Sequence, residues 1–199
     1  MVYTLTLMTI RVIGLGGTYR PHSSTELALR IALDAAKSLG AEIELFGAEA
    51  LDLPMYRPPQ PGAELGAKAR HLVEAIRGAH GVIIGSPGYH GVISGLVKNS
   101  LDYLEELRDD PNPYLDGRAV GCIATGAGWQ ATTTTMNGLR TIVHALRGWP
   151  TPLGVGINTT EVTFAADGTC SSPAVTAQLR MVGEQVMHFA KRGSTAPTA

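Results

Sequence analysis

The stretch that decides the fold is Gly81-Val82-Ile83-Ile84-Gly85-Ser86-Pro87-Gly88-Tyr89-His90-Gly91-Val92-Ile93-Ser94-Gly95. Its apolar start predicts a buried strand, and Ser94 is a typical N-cap for the helical pattern that follows from Leu96 to Leu107. A strand, a glycine-bearing turn and a helix in this order place backbone amides at one edge of an α/β sheet. Glycines let the main chain approach a flat ligand closely, and Pro87 restricts the backbone where the loop begins. The stretch therefore predicts one wall of a ligand site.

A second glycine turn lies near the start of the chain. Residues 9–15 read as a buried strand, Gly16-Gly17 as a turn, and residues 24–39 as a helix with a broad apolar stripe. The chain around the helix start offers hydroxyls, unpaired helix amides and a guanidinium, a set that suits a phosphate dianion. These residues are Thr18, Arg20, Ser23, Ser24 and Thr25. The residues alone leave open a simpler interpretation, in which Ser24 or Thr25 caps the helix and Arg20 is solvated.

Two other phosphate motifs are excluded on residue grounds. No Gly-Lys-Ser or Gly-Lys-Thr sequence of a nucleoside triphosphate loop is present, and Tyr19 occupies the place of the third glycine in the dinucleotide fingerprint. A monophosphate therefore fits this turn better than a pyrophosphate.

The rest of the chain continues the alternation of strands and helices. Further strands are predicted at residues 41–46, 118–125 and 153–157, and further helices at 63–78, from about 134 to 147, and from Pro173 onward after an N-cap at Ser172. A third glycine turn, Gly126-Ala127-Gly128, follows the strand at 118–125. The proline-rich segment 51–61 is predicted to be a surface loop. Five strands alternating with five helices indicate a parallel sheet with right-handed crossovers.

Two segments of the chain resemble one known family. The first segment is similar to a signature of the NADPH-dependent FMN reductases, which are flavodoxin-like proteins. It comprises Gly-Ser-Pro-Gly-Tyr-His-Gly at 85–91, followed by Ser-Gly-Leu-Val-Lys-Asn-Ser-Leu-Asp-Tyr at 94–103. Gly17-Thr18-Tyr19-Arg20-Pro21-His22-Ser23 resembles that family's phosphate loop, with Thr18 in place of a serine. The resemblance extends from about residue 9 to about residue 190.

The resemblance implies a fold and a cofactor site. The fold is a three-layer α/β sandwich, with a five-stranded parallel sheet of order 2-1-3-4-5 and helices on both faces. FMN binds with its phosphate on Thr18, Arg20, Ser23, Ser24 and Thr25, and with its ring between two loops. The first loop comprises Pro87, Gly88, Tyr89, His90, Gly91 and Val92, and the second comprises Thr125, Gly126, Ala127 and Gly128. Lys98 and Asn99 match the family motif, but a solvated lysine and a helix-positioning amide are the preferred interpretation. Trp129 is left open between stacking on the ring or the nicotinamide and an interface or core position. In the family, the loop that corresponds to residues 51–61 often helps to form the subunit interface or the rim of the site, and an ordered connection is the alternative here.

The implied activity is that of an NAD(P)H-dependent FMN oxidoreductase. FMN accepts hydride at N5 and passes electrons to an acceptor, which is free flavin for a partner monooxygenase, a quinone, an azo compound or a metal oxyanion. No protein nucleophile is required, so no catalytic side chain is expected. The alternative is an FMN-binding electron carrier or regulatory module without NAD(P)H oxidation of its own. The sequence does not decide between NADPH and NADH, nor between FMN as a bound group and as a diffusible substrate.

The composition of the chain argues against a nucleic-acid partner, a metal site and a membrane segment. A net charge of -1 over 199 residues and the lack of a Lys/Arg run argue against a nucleic-acid partner. Two cysteines without metal-ligand spacing predict no metal site and fit a cytoplasmic protein, and no membrane segment is expected. We expect one domain at residues 9–192, an extension of uncertain order at 1–8, and a disordered tail at 193–199. Two apolar rows on the helix at 96–107, Val97, Leu101, Leu104 and Leu96, Tyr103, Leu107, predict a homodimer or homotetramer in which the second row contacts another subunit.

Overall fold

The centre of the molecule is a parallel sheet. The computed structural model describes residues 9–58 and 64–193. The strands are β1 (Arg11–Gly16), β2 (Glu42–Phe46), β3 (Gly81–Tyr89), β4 (Val92–Ile93), β5 (Ala119–Gly126) and β6 (Trp149–Asn158). The order across the sheet is β2-β1-β3-β5-β6, and β4 pairs only with β3, in antiparallel orientation. Counted without the short β4, this is the predicted order 2-1-3-4-5, which is confirmed.

Helices cover both faces of this sheet. They are α1 (Ser24–Ser38), α2 (Ala67–Arg77), α3 (Gly95–Asp102), α4 (Trp129–Ala145) and α5 (Pro173–Gly193), with a 3-10 helix at Tyr103–Leu107 directly after α3. One apolar core lies between the sheet and α1 with α5, and the other lies between the sheet and α2, α3 and α4. The three-layer sandwich is thereby confirmed, because each helix buries its apolar stripe against one face of the sheet.

Small residues bring the α1 and α5 layer close to the sheet. A Cβ on Gly183 of α5 would lie 2.1 Å from the carbonyl oxygen of Ala32 in α1, so no larger residue fits where the two helices cross. Gly81 and Gly121 leave room in the sheet for Val186 and Val182 of α5. This packing holds α1 firmly over the sheet, which fixes where its N-terminus lies.

The structure corrects the predicted start of α4. The helix begins at Trp129, five residues before the predicted start at Thr134, so that Thr132 to Thr135 lie within it. The hydroxyl of Thr132 donates to the carbonyl of Trp129 at 2.9 Å, and that of Thr134 donates to Gln130 at 3.0 Å. Threonine is tolerated here because its hydroxyl bonds to the preceding helical turn.

The predicted subunit contact of the helix at 96–107 is wrong in its stated form. The α-helix ends at Asp102 and continues as the 3-10 helix, and both apolar rows turn inward. Tyr103 and Leu107 are only 6% and 1% exposed within a single chain. Tyr103 is covered by the proline-rich segment, since its hydroxyl donates to the carbonyl of Pro54 at 2.9 Å.

Several boundaries differ from the predictions. The third strand continues beyond Ile84 to Tyr89, the last parallel strand begins at Trp149 rather than Leu153, and α5 includes Gly193. The N-cap at Ser172 is confirmed, because its hydroxyl accepts from the amide of Val175 at 3.3 Å. The predictions for residues 1–8, for Pro59 and Pro61, and for residues 194–199 fall outside the described residues, and the division into domains stays a prediction. None of the helices in the described ranges has the length and apolar character needed to cross a membrane.

Candidate functional site

Three loops meet at one edge of the sheet. They follow the carboxyl ends of β1, β3 and β5, which are adjacent strands: Gly16 is paired with Gly85, and Pro87 with Thr125. A hydrogen bond of 2.6 Å between the hydroxyls of Thr25 and Thr125 also joins the start of α1 to the end of β5. The three glycine turns identified in the sequence therefore lie side by side at one edge of the sheet.

The loop after β1 exposes a cation beside a helix N-terminus. Gly16 has a φ of 144°, and a Cβ there would lie 1.8 Å from the carbonyl oxygen of Gly85, so only glycine fits this close approach of β1 and β3. The amide of Arg20 donates to the hydroxyl of Thr18 at 3.1 Å, while its side chain is exposed. Within the described residues the guanidinium of Arg20 has no ion-pair partner. Together with the first-turn amides of the helix, such a cation would suit an anion.

The start of α1 also contains a carboxylate, which is neutralised locally. Glu26 lies in the first turn, and Arg30 one turn later pairs with it at 2.7 Å. Ser23 is the N-cap, and its hydroxyl accepts from the amide of Glu26 at 3.3 Å. The ion pair leaves Arg20 as the cation beside this N-terminus, which favours a negatively charged ligand group there.

The wall predicted from residues 85–95 is a β-hairpin rather than an irregular loop. His90 and Gly91 both have positive φ, 51° and 87°, and Tyr89 is paired with Val92, so the turn is of type I′. At its base, the buried hydroxyl of Ser86 accepts from the amide of Ser94 at 2.9 Å. The hairpin is therefore a hydrogen-bonded element at the edge of the sheet where the three loops lie.

The first turns of α4, which follow the third loop directly, pack against the hairpin. A Cβ on Gly88 would lie 2.5 Å from the hydroxyl oxygen of Thr135 and 3.0 Å from the carbonyl of Ala131, so α4 packs directly against the hairpin. Gly128 precedes the helix with a φ of 136°. Trp129 is exposed, and its indole donates to Glu161 at 3.0 Å, which places it at the rim rather than in the core.

The structure separates the predicted site residues into two groups. Exposed or partly exposed at the site are Thr18, Arg20, Ser24, Gly88, Tyr89, His90, Gly91, Val92, Gly126, Ala127 and Gly128. Buried are Ser23, Thr25, Pro87 and Thr125. The side chains of Ser23, Thr25 and Thr125 are already engaged in the hydrogen bonds described above. In the structure they shape the site, whereas the first group faces outward.

Sequence reasoning missed the supporting residues Ser86 and Thr135. Ser86 lies in the quoted motif, and its place beside a proline at a strand end was the available signal. No local sequence signal indicated Thr135, because its contact with Gly88 depends on how α4 packs against the sheet.

Asn99 has the positioning role preferred from the sequence. Its amide nitrogen donates to the carbonyl of Pro54 at 2.9 Å, and its amide oxygen accepts from the amide of Tyr56 at 2.8 Å. Lys98 is paired with Asp102 at 2.5 Å on the exposed side of the helix. The segment before residue 59 is thus an ordered connection held against α3.

Two titratable groups have pKa values well above their usual range. Burial raises the pKa of the Cys122 thiol to about 12, so it stays protonated at neutral pH. Burial, with the hydrogen bond donated to Glu106, raises the pKa of Tyr56 to about 12. Among residues 9–58 and 64–193, no group of three His, Cys, Asp or Glu side chains could hold a metal ion.

Comparison with known proteins identifies the family. The model of the NADPH-dependent FMN reductases matches residues 10–161, which include all three loops. The chain belongs to the NADPH-dependent FMN reductase family. The resemblance seen in the sequence is thereby confirmed, and the chain is an NAD(P)H-dependent FMN oxidoreductase rather than a carrier without that activity.

Individual FMN reductase relatives agree with this assignment. An FMN-dependent NADPH-azoreductase of Staphylococcus aureus is 26% identical over 158 residues, which cover 77% of this chain and 79% of the relative. Two solved structures show the same fold. An NADH:FMN oxidoreductase, EmoB in its apo form, has a TM-score of 0.69 at 22% identity and covers 95% of this chain and 92% of its own. The NAD(P)H:acceptor oxidoreductase FerB of Paracoccus denitrificans has a TM-score of 0.73 at 18% identity, with coverage of 92% and 98%.

The residues of the site fit FMN. The phosphate requires donors and positive charge, which the first turn of α1 and Arg20 supply. The ring requires a flat slot bordered by main chain, and the glycines of the hairpin and of residues 126–128 leave main chain uncovered at the edge. FMN is therefore the cofactor of this FMN reductase, with NADPH or NADH as hydride donor.

Proposed function

We propose that the FMN reductase binds FMN across the three loops and passes its electrons to a flat, uncharged organic acceptor. The observation that supports this most directly is the exposed guanidinium of Arg20, which has no ion-pair partner in the described part of the chain and precedes the N-terminus of α1 at the edge that also carries the hairpin. In this proposal the phosphate lies on Thr18, Arg20 and the amides at Ser24 and Thr25. The ring lies between residues 87–92 and 125–128.

The chain's own residues bind and orient rather than react. Bound FMN supplies the hydride chemistry, accepting two electrons from the nicotinamide and passing them on. Main-chain amides of the hairpin, such as those near Gly88 and Gly91, would stabilise negative charge on the ring. The rigid turn and the contact of Gly88 with α4 hold these amides in place before the ligand arrives.

The rim of the site favours an organic acceptor over a metal oxyanion. Tyr89, Val92 and Trp129 are 52%, 62% and 55% exposed around the proposed ring position. Such apolar side chains pack on a quinone or an azo compound, whereas an oxyanion would require cations, and the phosphate occupies Arg20 in this proposal. The name of the azoreductase relative agrees with this class of acceptor.

The central experiment measures FMN binding and NAD(P)H oxidation together. Arg20→Ala should raise the dissociation constant of FMN by about tenfold to 150-fold, the range for losing a hydrogen bond to a charged group. The wild type with FMN should oxidise NADPH, and addition of 1,4-benzoquinone or an azo dye should accelerate this oxidation more than chromate does.

Arg108→Ala is the matched control for this experiment. Arg108 is an exposed arginine at the opposite edge of the sheet, paired with Glu105, and should not affect FMN. An unchanged FMN affinity in Arg20→Ala would place the phosphate elsewhere. A preference for chromate would contradict the proposed acceptor class.

We also propose that the protein is a homodimer or homotetramer. Large apolar side chains are exposed at or after the carboxyl ends of the strands, among them Tyr19, Met55, Tyr89 and Val92. Exposed apolar side chains at one edge of the sheet are typical of a surface that another copy covers. Sedimentation velocity at micromolar concentration should show a species larger than the monomer, and a monomer alone would contradict the proposal.

A further inference from the structure

The side chains of two threonines that the sequence predicts at the FMN site are hydrogen-bonded to each other. The hydroxyl oxygens of Thr25 and Thr125 lie 2.6 Å apart, although the residues are 100 positions apart in the chain. The two residues are 1% and 3% exposed. Thr25 stands in the first turn of α1, and Thr125 stands at the end of β5, next to the loop at residues 126–128. Among the described residues, no other side-chain hydrogen bond joins α1 to β5.

We infer that Thr25 and Thr125 are positioning residues, which fix the distance between the phosphate anchor and the loop that borders the ring. This inference rests on the proposed placement of FMN. A ligand touching either hydroxyl would first have to displace surrounding atoms, because both residues are almost fully buried. The pair therefore acts on FMN through the main chain that carries it.

Thr25 is braced on its other side as well. Its methyl group would lie 3.1 Å from a Cβ on Gly85, so it packs against the strand end from which the hairpin rises. One side chain thus contacts β3 through its methyl group and β5 through its hydroxyl. The start of α1 is thereby held in register with the ends of both strands that border the ring.

The distance itself depends on the hydrogen bond. Apolar atoms in contact stay about 3.5–4.0 Å apart, so two methyl groups could not approach as closely as the two oxygens do. Replacing either hydroxyl by a methyl group already breaks the bond and would push α1 and β5 apart by roughly 1 Å at this point. FMN binds to both sides of this gap, whereas riboflavin has no phosphate and binds to only one.

The test compares FMN with riboflavin in four variants: Thr25→Val, Thr125→Val, the double variant, and Thr25→Ser. Either single valine should weaken FMN about threefold to tenfold, the value of one neutral hydrogen bond. Riboflavin affinity should change by less than about twofold, so that the preference for FMN falls. The double variant should lose no more FMN affinity than a single one, because both changes remove the same bond. Thr25→Ser keeps the hydroxyl and should retain FMN affinity.

Unfolding measurements on the same variants separate positioning from general damage. Each single valine leaves one buried hydroxyl without a partner, whereas the double variant leaves none and should recover stability. Its FMN affinity should nevertheless stay low. Thr176→Val is the matched control, since Thr176 also donates a hydrogen bond in the first turn of a helix, to the carbonyl of Ser172 at 3.1 Å, but faces the second half of α1 rather than its N-terminus.

The outcomes distinguish this inference from the proposed function. Failure of the wild type to bind FMN, or an unchanged affinity in Arg20→Ala, would overturn the proposed placement of FMN. Binding that is intact and sensitive to Arg20, with FMN and riboflavin weakened equally by the valine variants, would overturn only the positioning role. Recovery of FMN affinity in the double variant would also overturn it.

Discussion

At the scale of single residues, Thr135 has a buried hydroxyl that makes no stabilising hydrogen bond within the described residues. It is fully buried against Gly88, and its hydroxyl oxygen has no hydrogen-bond partner in the described structure. A buried hydroxyl without a partner costs stability, and valine has nearly the same shape. We therefore expect Thr135→Val to raise the free energy of unfolding by about 1 kcal/mol, measured by urea denaturation.

The same helix offers the control for this prediction. Thr132 is also buried, but its hydroxyl donates to the carbonyl of Trp129. Thr132→Val should therefore be neutral or destabilising. Equal effects of the two substitutions would mean that the hydroxyl of Thr135 has a partner after all, for example an ordered water.

Single residues of the site were predictable in identity but only partly in role. The sequence indicated Ser23, Thr25 and Thr125, and the structure places all three at the site. Their bonding could not be inferred, because Thr25 meets its partner 100 residues away, across a contact that exists only once α1 docks on the sheet. Arg20 was more accessible to prediction, since its exposure depends on the local turn.

At the scale of elements, strands and helices with strong patterns were predicted well, and their ends were not. The buried run at 81–84 identified β3, but its extension to Tyr89 depends on pairing with β5 and β4. The start of α4 at Trp129 was missed because threonine propensity argues against a helix, whereas packing on Gly88 and hydroxyl bonds to the preceding turn decide the outcome. Local signals therefore locate elements, and tertiary contacts set where they end.

At the scale of the whole molecule, stability should depend on pH through His80, at the opposite edge of the sheet from the site. Its Nδ1 accepts a hydrogen bond from the amide of Arg11 at 3.1 Å, which requires that atom to be deprotonated. Burial, and then the charges of Arg118 and Arg11, lower the pKa of His80 below its usual value near 6.5. The folded state therefore holds His80 neutral where the unfolded chain begins to bind a proton.

The sign of the effect follows from this difference in pKa. Above the pKa that His80 has in the unfolded chain, His80 is neutral in both the folded and the unfolded state, and its contribution to the free energy of unfolding is complete. As the pH falls below about 6.5 the unfolded state gains the proton first, so stability falls by at most about 1.4 kcal/mol per pH unit until the folded pKa is reached.

His80→Asn keeps an acceptor for the amide of Arg11 but cannot titrate. Urea denaturation at about pH 7.5 and about pH 5.5 should show a larger loss in the wild type than in His80→Asn, because only the wild type has this proton linkage. The other five histidines contribute equally to both proteins and cancel in the comparison. Parallel losses in the two proteins would show that His80 titrates alike in the folded and unfolded states.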